Sequence, residues 1–257
     1  MSRFQNLEFG KQFGQPSEQQ PVVKDETYYL AEAQTAFESG RFEPGLRAYA
    51  KVLEYNSANT VAWAGQVRML IELGEYREAR LWADKALETF PSDAELLAAK
   101  AVALARSGDL QGAIAFSDAA IEERGNTPYV WLARGDVLLA RGEKHAAFCF
   151  ERAVALAPGQ WFWQWLASRI HFYYDQFANA LKFAQQALEL ETLRAVVWLQ
   201  LGRCQLALGL VRAARHSLAQ AEQLDSTTDD LARELTRLEA TGLGGRLRGW
   251  WRKLQGS

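Results

Sequence analysis

Apolar residues along this chain recur at helical spacings of three, four and seven, and nowhere do they alternate with polar ones, so every regular element is expected to be a helix. Glycines punctuate the apolar stripes. Gly40, Gly74, Gly108 and Gly142 stand 34 residues apart, and Gly209 follows Gly142 by 67, which is 34 plus 33. Asp175 holds the place of the glycine missing between them, and aspartate is a residue that tight turns accept. Each marker is read as the turn of a helix pair, and the period predicts six such pairs.

Small residues recur in register with the markers, as close helix packing requires. Five places on are Ala79, Ala113, Ala180 and Ala214, and twelve places on are Ala86, Ala120, Ala187 and Ala221; the first unit has Gly45 and Val52 there. Seven places before come Ala33, Val67, Ala101, Gly135, Ser168 and Gly202. In the fourth unit Ala146 and Ala153 fall one residue early, which puts a one-residue deletion between Gly142 and Ala146. Eleven places before the markers Tyr29, Trp63, Leu97, Trp131 and Trp198 offer large knobs, with Gln164 in the fifth unit. Pro91 and Pro158 stop second helices.

Trp198, Leu201 and Gly202, followed by Gly209, Ala214 and Ala221, resemble the tetratricopeptide repeat, and the other five units resemble it in diluted form over residues 26–226. The resemblance implies an all-α, right-handed superhelical solenoid of six repeats over 25–226. Such a stack needs a polar end, and residues 227–240 supply a capping helix: Leu231, Leu235 and Leu238 form one narrow apolar stripe, with Ser226 or Thr227 as N-cap. In this family first helices line a concave groove. The ligand-facing places are then Gln34, Arg68, Val102, Asp136, Arg169 and Arg203, and three residues further on Phe37, Ile71, Ala105, Leu139, Phe172 and Leu206. Three arginines and one aspartate over an apolar floor suit a peptide or helical segment of a protein partner with acidic and apolar side chains. The Lys and Asn clamp of chaperone-binding relatives is replaced by Ala64, Arg68, Ala98 and Val102.

The fifth unit crowds Trp161, Phe162, Trp163, Trp165, Phe172, Tyr173, Tyr174 and Phe177 into one helix pair. Trp165 and Phe172 are candidate anchors for a partner; the alternative is that these rings fill a gap left by the shortened fourth unit.

Composition changes the picture at the two ends. With 257 residues, 49% of them hydrophobic, the chain needs no disulfide or structural metal to make a core. Its 29 basic and 31 acidic side chains give a net charge of −2, which disfavours a sequence-independent hold on nucleic acid. Residues 1–24, rich in Gln and Gly and carrying Phe4, Phe9 and Phe13, are expected to be a disordered leader without the apolar core of a signal peptide. Residues 241–257 bear Arg246, Arg248, Arg252 and Lys253 and no acid, beside Trp250 and Trp251. In helical form this basic aromatic tail is amphipathic and fits an anionic membrane surface, a protein surface, or the groove of a neighbouring copy; the alternative is a disordered end that binds nothing.

Candidate chemistry is sparse. His145, His171 and His216 fall in different units, Cys149 and Cys204 lie far apart, and no metal-ligand, phosphate-loop or nucleophile-elbow spacing occurs. No cofactor, metal or catalytic role is expected. The sequence reads as a scaffold or adaptor of a reducing cytoplasm, with attachment to the inner face of a membrane through the tail as the alternative.

Overall fold

The computed structural model describes residues 24–227 and 230–240, and within them every regular element is α-helical. Twelve helices follow one another in six pairs. The first three are α1 (Glu26–Glu38) with α2 (Phe42–Tyr55), α3 (Thr60–Leu73) with α4 (Tyr76–Thr89), and α5 (Ala94–Arg106) with α6 (Leu110–Glu122). The last three are α7 (Pro128–Ala140) with α8 (Ala146–Leu156), α9 (Trp161–Tyr173) with α10 (Phe177–Leu190), and α11 (Ala195–Ala207) with α12 (Val211–Leu224). A further helix, α13, covers residues 230–240.

Local sequence sets these boundaries. The first helices of the leading four pairs begin at Asp25, Asn59, Asp93 and Thr127, again 34 apart, and each of these side chains accepts a hydrogen bond from the backbone N–H three residues on. One such cap is worth about 1 kcal/mol. Gln160 and Arg194 hold the corresponding places in the last two pairs and make no such bond. The first helices of all six pairs end in a left-handed turn: the five marker glycines have φ between 68° and 94°, and Asp175 adopts φ 56° without being glycine. The one-residue deletion in the fourth unit shows as a late start. Other second helices begin two residues after their marker, whereas α8 begins four after Gly142 and is only 11 residues long.

The recurrent small residues are where neighbouring backbones meet. Ala33, Ala79, Ala101, Ala113, Ala180 and Ala214 are all fully buried. At Gly135 an added Cβ would lie 2.8 Å from the Phe150 ring, and at Gly202 it would lie 2.8 Å from Leu218. A methyl at either place needs the facing side chain to move.

The end of the stack is covered as the apolar stripe predicts. Leu231 and Leu238 of α13 are buried against Leu199, Ala214, Leu218 and Ala221. Glu234, on the same helix, is also buried and reaches Arg203 Nε at 3.2 Å. At the start of this segment Thr227 N–H donates to Asp225. Ser226 and Thr227, the expected N-cap, are followed by residues 228 and 229, which, like the leader through residue 23 and the tail from residue 241, lie outside the described residues.

The superhelix closes on itself. Beyond neighbour-to-neighbour packing, the turn between α1 and α2 lies against α9, α11 and the end of α12. Arg194 reaches Glu38 at 3.6 Å, Arg41 reaches Asp225 at 3.7 Å, and a Cβ on Gly40 would lie 3.1 Å from Val196 Cγ1. Deeper in, the Phe37 and Phe162 rings meet edge to face at 4.9 Å. This closure accounts for the aromatic excess of the fifth unit. Phe162 and Trp165 are buried, while Trp161, Trp163 and Tyr174 are partly buried against the same core. Phe162 fills the axis where α9 meets α1 at Phe37, and Tyr174 turns to Asp136 of α7.

Candidate functional site

Residues six places before each marker stand on first helices, and the closed superhelix gives them very different surroundings. Gln34 is exposed on α1, and its amide donates to Glu38 at 2.9 Å. Arg68 on α3 is half-buried, with its guanidinium carbon 4.1 Å from the centroid of the Tyr129 ring and 4.9 Å from that of Phe37. Glu95 stands 3.9 Å from it, and its Nε is buried without a hydrogen bond. Asp136 on α7 is 1% exposed, held by Arg106 Nη2 at 2.6 Å and by the Tyr174 hydroxyl at 2.7 Å. Trp165 on α9 is 2% exposed and donates from Nε1 to the Val196 carbonyl at 3.2 Å. An open wall at Asp136 and Trp165 is therefore not what the structure has, because Arg106 of α5 and Tyr174 cover Asp136, while α11 and the α1–α2 turn close over Trp165. The void around Arg68 and Asp136 is about 20 Å³, room for about one water.

Arg169, Phe172 and Arg203 do come together. They line an open cleft of about 210 Å³ between the α3–α4 turn and helices α5, α9 and α11, with Glu72, Tyr76, Arg106, Tyr173 and Gln200 completing its wall. Each arginine already has an acidic neighbour. Arg169 Nε donates to Glu72 Oε2 at 2.8 Å, joining α9 to α3 across the superhelix. Burial pushes the Glu72 carboxyl up, but the Arg169 and Arg106 charges outweigh it and hold the group below the ordinary carboxylate value. Burial, and then the like charge of Arg169, hold the Arg203 guanidinium below its usual value. Its partners Glu234 and Asp230 stand 3.2 and 3.7 Å away, and its Nε is out of line for a hydrogen bond to Glu234.

Aromatic faces complete the wall. The Arg203 guanidinium lies 5.2 Å from the Phe172 ring and that of Arg106 lies 4.3 Å from the ring of Tyr173. Tyr76 and Tyr173 meet edge to face at 6.3 Å, and burial together with a hydrogen bond to Tyr173 raises the Tyr76 hydroxyl to about 12. Such a surface offers oriented cationic donors beside apolar ring faces, which suits charge-assisted hydrogen bonds to an acidic group carried by an apolar side chain.

Arg106, Glu72 and Tyr173 are absent from the ligand-facing set given by the family offsets, yet one signal points to them. They stand two places before their markers, a series that runs Glu38, Glu72, Arg106, Ala140, Tyr173 and Ala207. Three of its six members carry charge, and each of those makes an ion pair across the superhelix or between repeats. His171 is a core residue: its ring stacks on Phe183 at 5.3 Å, Nδ1 meets Gln176 at 2.9 Å, and burial holds its pKa below the usual value. Cys149 and Cys204 are buried thiols, and among the described residues no three His, Cys, Asp or Glu side chains gather in a metal-binding group.

Comparison with known proteins bears on the fold. No curated protein matches the sequence. Among solved structures, a tetratricopeptide repeat protein from Parabacteroides merdae superposes with a TM-score of 0.54 at 16% identity, covering 83% of this chain and 84% of that one. The human IFIT1 dimer with m7Gppp-AAAA gives 0.53 at 17% identity, covering 85% of this chain and 57% of that one. A chain of the APC/C hetero-tetramer Cut9-Hcn1 gives 0.49 at 18% identity, covering 84% of this chain and 49% of that one. A family model described as "Tetratricopeptide repeat" matches residues 5–160, more than half of the sequence. Six registered helix pairs, left-handed turns at every marker and that match have one explanation: the chain belongs to the tetratricopeptide repeat family.

Proposed function

We propose that this protein is a non-catalytic scaffold that holds a short segment of a protein partner at the cleft between the α3–α4 turn and helices α5, α9 and α11. The reading is carried by one observation, the convergence of Arg106, Arg169 and Arg203 with Phe172 and Tyr173 on an open cleft of about 210 Å³. The volume suits one or two side chains, and the cations favour an acidic residue beside an apolar one. Repeat solenoids present extended concave surfaces to their partners, and this cleft opens where the closure narrows that surface. Arg203 and Tyr173 are the residues to change, because Tyr173 is 43% exposed and neither side chain ties α9 to α3. Affinity capture with the Arg203→Gln, Tyr173→Ala double variant is expected to lose, at least about tenfold, partners retained by the unchanged protein, which corresponds to about 1.4 kcal/mol. Equal recovery of the same partners would sink the proposal.

A second reading rests on the tail. Arg246, Arg248, Trp250, Trp251, Arg252 and Lys253 combine cations with paired indoles, the composition of a segment that settles at an anionic lipid interface. No helix among the described residues is long and apolar enough to cross a membrane, so this reading gives the attachment to the tail. Sedimentation with anionic vesicles is expected for the full chain and to be lost on removal of residues 241–257. Equal sedimentation of both forms excludes it.

A further inference from the structure

Within a stack, the side chain eight places before each turn marker faces the second helix of the preceding repeat. Lys100 on α5 reaches Asp84 of α4 at 2.6 Å, and Arg134 on α7 reaches Asp118 of α6 at 2.7 Å. At the same place Gln66, Ala167 and Leu201 are buried. Glu32 holds this place in the first repeat, and it is exposed. No preceding helix lies over it among the described residues, and where one would lie the surface has an open cleft of about 480 Å³. Tyr29 and Glu32 of α1 form one wall, and Pro44, Ala48, Lys51 and Glu54 of α2 form the other. The first repeat thus has an uncovered upstream face built like the covered faces further along.

The chain itself leads to that face. The Tyr55 hydroxyl donates to the Lys24 carbonyl at 2.8 Å, which fixes the chain two residues before α1 to the end of α2, beside Glu54 at one end of the cleft. From Pro44 to Glu54 the cleft follows ten residues of helix, about 15 Å, whereas 23 residues span about 35 Å even at helical rise. Residues 1–23 bring Phe4, Phe9 and Phe13, two cations and two acids, and the rim offers Arg47 and Lys51 against Glu32 and Glu54. Neither side carries an excess of one sign. The family match also begins at residue 5, ahead of the first helix pair. A terminal repeat left bare exposes the apolar face that stacking normally buries.

We infer that residues 1–23 dock on the upstream face of the first repeat, with their phenylalanines seated in the cleft between α1 and α2. The tail is the weaker occupant, since its four cations have no acidic excess to meet on this rim. Hydrogen exchange on the full-length protein tests the inference. Relative to the unchanged chain, the Phe4→Ser, Phe9→Ser, Phe13→Ser variant is expected to exchange amides of residues 44–54 at least about tenfold faster, while α9 and α10 keep their rates and so report an intact stack. Tyr29→Ala, on the receiving face, is expected to speed exchange in residues 4–13. Unchanged rates over residues 44–54 in the triple variant overturn the inference. So does protection of those residues that vanishes on removal of 241–257, or that appears only at concentrations where the protein sediments as a dimer, for then the tail or a second copy fills the cleft.

Discussion

Replacing Asp136 with alanine is expected to remove about 3–5 kcal/mol of stability, because it leaves the buried Arg106 guanidinium without its counter-charge. The side chains of Arg106 and Asp136 are 6% and 1% exposed, and the Tyr174 hydroxyl loses its acceptor at the same time. Domains are commonly stable by only about 5–15 kcal/mol, so this single change consumes a large fraction of the whole. Denaturant unfolding of the variant measures it. Asp136→Asn, which keeps an acceptor for Tyr174 while removing the charge, should fall between the two. Replacing both partners by apolar residues of similar size, Arg106→Met with Asp136→Leu, should recover much of the loss, since a buried pair is stabilising mainly by comparison with a broken one. A loss under about 1 kcal/mol for Asp136→Ala would show that water reaches the guanidinium and that this part of the interior is open.

Trp165→Ala is expected to cost a similar amount, about 3–5 kcal/mol, for a different reason: it opens a void of side-chain size at the axis. The indole is 2% exposed and packs at 5.7 Å on Phe162 and 6.2 Å on Trp161, with the Arg169 guanidinium 5.1 Å from its ring. Its Nε1 bond to Val196 ties α9 to the start of α11, and Val196 in turn touches the α1–α2 turn at Gly40. Trp165→Phe keeps most of the volume and loses that bond, a change worth about 1 kcal/mol. Thermal and denaturant unfolding of the two variants separate packing from hydrogen bonding. Equal losses for both would mean that the bond, not the bulk, holds the axis together.

The two sites also show what a sequence of this kind reveals. Helix pairs, their turns and the shortened fourth unit are legible because the contacts that make them lie within one repeat or between neighbours, and such contacts leave a trace every 34 residues. Asp175 illustrates the point, since a turn residue in the place of a glycine takes the same left-handed conformation. The closure is not legible in this way. Arg169 meets Glu72 97 residues away, and whether they meet depends on small rotations accumulated over three repeats rather than on any local pattern. The offset that names Asp136 as ligand-facing is silent about the Arg106 and Tyr174 side chains that lie against it. The series two places before the markers holds the charged partners Glu38, Glu72 and Arg106, but nothing in their spacing says which cation each will find.

The seam between the first and sixth repeats changes how such a molecule comes apart. In an open stack each repeat touches only its neighbours, so the ends can fray one at a time and stability is close to a sum over adjacent units. Here Glu38 and Arg41 of the first unit hold Arg194 and Asp225 at the far end, and Phe37 lies against Phe162. Loss of the first helix pair therefore strips contacts from the fifth and sixth repeats as well as the second. The ends are no longer the cheapest places to begin unfolding, and the chain behaves less like a row of units than like a ring, in which a change made in one terminal repeat is felt in the other.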